Sequence, residues 1–344
     1  MTTVAMPRAA PLGGLARTVI AFGLGLLALV LFLAVAGFDV AASLEALWRG
    51  AFGSRYAILS ATLVRAVPLL ILGLAFALGA RAGGLNIGME GQFAAGAIAA
   101  TWVGVSVAGA PAAMALPATL LAGVIAGALW MAVPVLLRAR FGVTEVISTL
   151  LLNFVAEAAV SWAVSGPLQE SARTYPQSDP IALAARLPRL LPTERIHLGL
   201  VVALLLAIGM AVFFHRTRAG FALKAAGAAP EAARIVGRVR ITPVVVLALL
   251  GSGALAGLGG AVEVSGVSHA LYQRLSPGYG FTAIAVALLG RLRPGAIVIA
   301  ALLFGALEAG AGAMQRDAGV PAVAVMVVQA VVLLAMVMGT RESR

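Results

Sequence analysis

The stretch Arg81-Ala-Gly-Gly-Leu-Asn-Ile-Gly-Met-Glu-Gly-Gln92 lies between two long apolar runs, 57–80 and 87–108, and intrudes on the second. Four glycines (Gly83, Gly84, Gly88, Gly91) and three polar side chains (Asn86, Glu90, Gln92) break the hydrophobic text there. If the flanking runs cross a bilayer, this segment brings irregular backbone to membrane depth. Such backbone is tolerated only when protein buries it or when it lines an aqueous cavity. An interrupted hydrophobic segment is also a sequence pointer to a transport pathway.

Composition supports the condition. Of 344 residues, 62% are hydrophobic and 11% charged, and the mean hydropathy is +1.04. Soluble domains carry roughly 45–50% apolar and about 25% charged residues. The surplus of apolar surface needs lipid as solvent. Runs of about 20 apolar residues suit helices, because barrel strands need only about 9–11. The fold class expected is all-α: a polytopic transmembrane helical bundle.

Ten segments have the character of spans or parts of spans: 18–37, 57–80, 87–108, 112–137, 145–164, 197–214, 241–262, 280–290, 295–314 and 319–339. The segment 280–290 is too short to cross alone and reads as a half-helix, so eight spans plus broken pieces is the alternative count. Arg8 and Arg17 precede the first run, and Ala34-Val-Ala36 has the form of a cleavage site. A signal-peptide core is about 7–15 residues. The run Thr18–Gly37 is longer and reads as a retained span, with cleavage as the alternative.

The net charge is +11, and Lys224 is the only lysine. The arginines cluster in short loops between apolar runs, which orients a membrane protein and is not a nucleic-acid footprint. With the N-terminus inside, Arg81, Arg138, Arg140, Arg216, Arg218, Lys224, Arg234, Arg238, Arg240, Arg291 and Arg293 all fall on the cytoplasmic side. Both termini are then cytoplasmic. The chain is a single transmembrane domain over 1–344, with a cytoplasmic tail at 1–17, a periplasmic loop at 165–196 and a basic cytoplasmic loop at 215–240. Within the last, Pro230-Glu-Ala-Ala-Arg-Ile-Val-Gly237 has proline at a helix start and glycine at its stop. A bare connector needs no such helix, whereas a docking surface for a soluble partner does.

Ionisable groups at mid-bilayer cost about 2.5–3.5 kcal/mol on insertion scales. Glu90, Glu157, Glu263 and Glu308 fall in or near spans, with Asn86, Gln92 and Asn153. They either line a pathway or bond between helices. Pro277, Gly278, Gly280, Pro294 and Gly295 form a second interrupted region. There is no cysteine and there are three scattered histidines, so no metal centre or cofactor is indicated. No phosphate-binding G-x-x-x-x-G-K-[ST] loop is present, nor H-E-x-x-H or G-x-S-x-G, so no enzyme site is proposed.

Five blocks then resemble, in order, the permease subunits of ABC importers in the nucleoside and simple-sugar branch of the branched-chain amino acid and ribose permease superfamily. They are 84–92, 142–153, 226–237, 252–260 and 278–291 within a resemblance covering about 57–339. The sequence departs from the family pattern at Ala229, where asparagine is common, and in Gly290-Arg-Leu-Arg-Pro-Gly295. The resemblance implies two permease chains forming one pathway, often as a heterodimer. It also implies a cytoplasmic ATPase with two nucleotide-binding cassettes, and a periplasmic or lipid-anchored binding protein that delivers a nucleoside, sugar or riboflavin. The location implied is the bacterial inner membrane. Gly227, Pro230, Glu231, Ala232, Ala233, Arg234 and Gly237 would form the coupling helix. Asn86, Glu90, Gln92, Asn153, Glu157, Glu263 and Glu308 are the pathway candidates. A proton-coupled secondary transporter using Glu90 and Glu263, and a scaffold without transport, are the rival readings.

Overall fold

Apolar runs punctuated by glycine, proline and arginine become helices punctuated by tight turns. A computed structural model describes residues 14–235 and 240–321, with Val323, Met326, Val327 and Ala330. Gly237, the start of the N-terminal tail and most of the expected span 319–339 lie outside the described residues. Twelve α-helices and no strand occur among the described residues: α1 (Gly14–Val35), α2 (Val40–Phe52), α3 (Leu63–Arg81), α4 (Met89–Ser106), α5 (Ala112–Phe141), α6 (Glu145–Ser165), α7 (Gly199–Arg216), α8 (Arg218–Ala228), α9 (Pro230–Ile235), α10 (Ile241–Glu263), α11 (Tyr279–Leu289) and α12 (Pro294–Asp317). A π-helical turn, Ala57–Thr62, leads into α3, and another, Val264–Ser268, extends α10.

Among the described residues, six helical stretches are long and apolar enough to cross a membrane: 57–81, 112–141, 145–165, 199–216, 241–268 and 294–317. The segment 23–35 and α11 are apolar but shorter. The expected run at 87–108 is a helix only from Met89, and polar Glu90 and Gln92 occupy its first turn. Protein rather than lipid surrounds much of α4, since Met89, Gln92, Phe93, Ala97 and Ala100 are all buried.

Residues 48–310 form one compact unit, and of the other described residues 14–47 group with 311–321 in another. In the second of these, Gly37 takes a left-handed φ of 78° and stops α1. The N–H of Phe38 then donates to Leu33 O at 2.9 Å. Asp39 starts α2 by accepting from the N–H of Ala42 at 3.0 Å. Helix stops at glycine and starts at aspartate follow from the orphan backbone groups at helix ends.

In the unit 48–310, α10 packs against α3, α4 and α5, while α11 lies along α3. Glycine makes the α10 contact possible. A Cβ on Gly257 would strike the carbonyl oxygen of Gly123 and stand 2.8 Å from Cα of Gly127. Small residues let spanning helices approach this closely, where lipid offers no hydrophobic drive to association. The polar loop expected at 165–196 is a strap that runs between α6 and α7, over 166–198. Its Ser178, Ile181 and Leu187 N–H groups donate to Leu271, His269 and Ser265 carbonyls at 2.7–2.8 Å. Its Ile181 and Ala185 are buried with Val160, Val164, Val264 and Leu271.

Candidate functional site

The broken link between α3 and α4 is held by amides. Asn86 Nδ2 donates to Gln92 Oε1 at 2.7 Å, and Gln92 Nε2 returns a bond to Asn86 Oδ1 at 2.9 Å. Asn86 also donates to Ser252 Oγ on α10 at 2.9 Å and accepts from the N–H of Gly88 at 3.0 Å. Both amides are buried. Asn153 of α6 clamps the same link from the other side. Its Oδ1 accepts from Gly91 N at 2.8 Å, and its Nδ2 donates to Ile87 O at 3.1 Å. Such fully paired networks fix irregular backbone, because an unpaired buried amide group would cost about 1–3 kcal/mol.

The link places Glu90 at the start of α11. Glu90 Oε2 accepts from Gly280 N at 2.6 Å. Ser276 Oγ accepts from the N–H groups of Gly278 and Tyr279 at 3.1 and 2.9 Å, and its hydroxyl donates to Glu90. Three of the backbone donors around the head of α11 are therefore satisfied by side chains. At 11 residues, α11 is about 16 Å long, roughly half a hydrocarbon core.

Beside this half-helix lies a cavity of about 370 Å³. Glu90, Phe93 and Ala97 of α4 line one wall, and Asn153, Glu157 and Ser161 of α6 line another, with Gln273, Arg274 and Ser276 closing a third. Spacing of four residues puts 153, 157 and 161 on one helical face. One side is open: Phe154 is 65% and Phe281 45% exposed. The volume falls within the roughly 300–1,000 Å³ of small-molecule sites. Carboxylate, amide and hydroxyl groups beside phenylalanine rings can hold the hydroxyls and ring face of a neutral polar solute.

Of the seven pathway candidates, the fold gathers Glu90, Asn153 and Glu157 at the cavity. Asn86 and Gln92 stand behind it, bonded to each other. Glu263 and Glu308 lie elsewhere: Arg65 is an electrostatic neighbour of both, and Arg195 of Glu263.

At the opposite end of the link, the basic segment forms two helices rather than the one expected. Thr217 Oγ1 caps α8 by accepting from Gly220 N at 2.9 Å. Proline opens α9, whose exposed Glu231 and Arg234 pair at 3.2 Å and whose Ala233 is buried. Gly227 of α8 lies directly on the link: a Cβ there would strike the carbonyl oxygen of Arg81 and stand 2.9 Å from Gly83 N. Arg81 is itself pinned. Its guanidinium sits 4.5 Å from the ring centroid of Phe214, and its Nε donates to Leu292 O at 2.8 Å. Leu292 and its neighbour Arg291 both adopt positive φ, 56° and 50°. Sequence reasoning missed Arg81, Ser161, Gln273 and Ser276. For Ser276 the signal was present, a serine two residues before glycine at a helix start; for the others contacts distant in sequence decide.

The family model for the branched-chain amino acid transport system permease component matches residues 58–337. The glucose ABC transporter permease protein of Haloferax volcanii is 42% identical over 80% of this chain and 75% of its own length. The guanosine ABC transporter permease protein of Bacillus subtilis is 38% identical, covering 92% of this chain and 90% of its own. The nucleoside ABC transporter permease protein of Lactococcus lactis is 34% identical, covering 91% and 87%. Both bacteria have a second such permease protein similar to this chain. No solved structure matches the chain. The chain, a multi-pass membrane protein, belongs to the family of branched-chain amino acid transport system permease components.

Proposed function

We propose that this chain is one permease subunit of an ATP-driven importer and carries a nucleoside-like or simple-sugar solute through the cavity beside α11. The observation that carries the reading is the continuity of one link. One end of it abuts Gly227 of the α8–α9 pair, and the other presents Glu90 to both the cavity and α11. A docked ATPase moving α8–α9 would press on backbone, not on a flexible side chain. Alternating access requires the partner to bind two states differently, and this link offers the element to bias. The solute reading is supported by the amide and hydroxyl groups of Asn153, Ser161, Gln273 and Ser276 in the cavity wall, where Glu90 and Glu157 stand with Arg274, and by relatives described as guanosine, nucleoside and glucose permeases.

Further parts of the reading follow from the resemblance. A second, different permease closes the open side at Phe154 and Phe281. ATP hydrolysis resides on a separate subunit with two cassettes, and a binding protein delivers the solute. The chain has ten spans, counting half-helix α11, and sits in the bacterial inner membrane with both termini cytoplasmic. The rival reading, a proton-coupled secondary transporter, would use Glu90 and Glu263 as its proton carriers. Purification of tagged chain together with a cassette ATPase, and solute uptake that stops on ATP depletion while surviving an uncoupler, is the expected result. Uptake that survives ATP depletion and collapses with the uncoupler overturns it.

A further inference from the structure

Among the described residues, four buried side-chain atoms without a partner in the protein fall together: His197 Nε2, Ser265 Oγ, Ser268 Oγ and His269 Nδ1. The place is the π-helical turn ending α10, under the strap. The His197 ring is wedged there, since a Cβ on either Gly199 or Gly266 would stand 2.5–2.6 Å from its atoms. Buried polar groups are nearly always hydrogen-bonded, so a group of unpartnered ones calls for a ligand.

We propose that this cluster binds a small anion of halide size. The donor inventory sets the sign. His197 Nδ1 accepts from the N–H of Gly199 at 3.2 Å, so the neutral ring carries its proton on Nε2 and offers a donor. Two serine hydroxyls add two more. The charged groups facing the pair agree: Arg195 faces His197, and Arg186, Arg189 and Arg195 face His269. No carboxylate appears among the electrostatic neighbours of either histidine. Glu263, just before the turn, has Arg65 and Arg195 as its own neighbours. A metal cation would meet positive charge and no anionic ligand. Ser265 is 0% and His197 1% exposed, which leaves no route for a nucleoside-sized molecule and favours a compact ion.

The position gives the anion a task. The strap bonds the turn through Leu187 N to Ser265 O and Ile181 N to His269 O. Leu271, whose carbonyl accepts from the strap's Ser178 N, lines the cavity together with Gln273. An occupied site would hold strap, turn and wall together, whatever solute the cavity takes.

The test uses the full chain in lipid nanodiscs, with thermal unfolding followed at constant ionic strength in sodium chloride, bromide or gluconate. Chloride and bromide are expected to raise Tm saturably by about 3 °C or more, the scale of a kcal/mol for a protein of this size. The rise is expected to vanish in Ser265→Ala and in His197→Phe. Equal Tm in chloride and gluconate overturns the proposal in favour of water at the site. A halide effect that persists in Ser265→Ala also overturns it, and that variant stands alone if His197→Phe does not fold.

Discussion

Glu90 and Gly280 stand 190 residues apart, yet the carboxylate of one caps the backbone of the other at 2.6 Å. The carboxylate thus does two things: it satisfies one orphan donor at the positive end of α11, and it forms part of the cavity wall. Glu90→Gln keeps an acceptor oxygen for Gly280 N and should retain most uptake. Glu90→Ala removes the acceptor, and should cost about 1 kcal/mol of stability as a lost cap and most of the uptake. Uptake assays alongside thermal unfolding check the order. Under proton coupling through this residue, Glu90→Gln would be as inactive as Glu90→Ala.

The contact of Gly227 with the α3–α4 link yields a second prediction. In Gly227→Ala the new methyl meets the Arg81 carbonyl oxygen, so helix or link must shift. Overpacking of this kind costs about 1–3 kcal/mol. Solute moved per ATP hydrolysed should fall by roughly tenfold, the equivalent of about 1.4 kcal/mol of coupling, while ATPase assembly persists. Arg81→Ala should give the same uncoupling through a different route, by releasing Phe214 and the turn at Arg291–Leu292. A full ratio of transport to hydrolysis in both variants refutes the link as transmitter.

Much of this is legible in the sequence, and the physical reasons for the remainder are specific. The break at 81–92 stands out because glycines and amides inside an apolar run expose backbone and polar groups that lipid cannot satisfy. The short segment at 280–290 reads as a half-helix by length alone. By contrast α2 went unread, although Gly37-Phe38-Asp39 is a stop followed by a cap; its 13 residues are too short and too mixed to register as a span. α8 went unread because its alanine-rich text resembles a linker. The grouping of Glu90, Asn153 and Glu157, apart from Glu263 and Glu308, depends on which helices touch, and periodicity within one helix carries no such information.

The amide pair predicts a stability effect separable from transport. Asn86→Leu would strand Gln92 Nε2, which then keeps only its 3.2 Å contact to Met131 Sδ, and would strand the N–H of Gly88. The loss should be about 2–4 kcal/mol, from two buried groups left short of partners. Ser252→Ala removes one acceptor and should cost about 1 kcal/mol. Thermal unfolding of the purified chain in nanodiscs measures both. If the two substitutions prove equally mild, the link is held by packing rather than by its amides.

His197 gives the strap a pH dependence with a definite sign. Burial, with help from neighbouring His269 and Arg195, lowers its pKa to about 4. The unfolded chain takes up that proton near an ordinary value of about 6.5. Between those limits the unfolded state binds more protons, so stability is full above about 6.5 and is lost as pH falls toward 4. The loss should approach about 3 kcal/mol, from the difference between the two pKa values. His269, lowered mainly by burial and then by Arg186 and Arg189, adds a smaller slope of the same sign. Thermal unfolding from pH 7 to 4.5 in gluconate should show the decline, and Ser265→Ala should leave it intact. His197→Phe should flatten it to the residual slope of His269. In chloride an anion beside Nε2 would favour the charged ring, so the same titration should be shallower. Identical slopes in chloride and gluconate would separate the histidine from any bound anion.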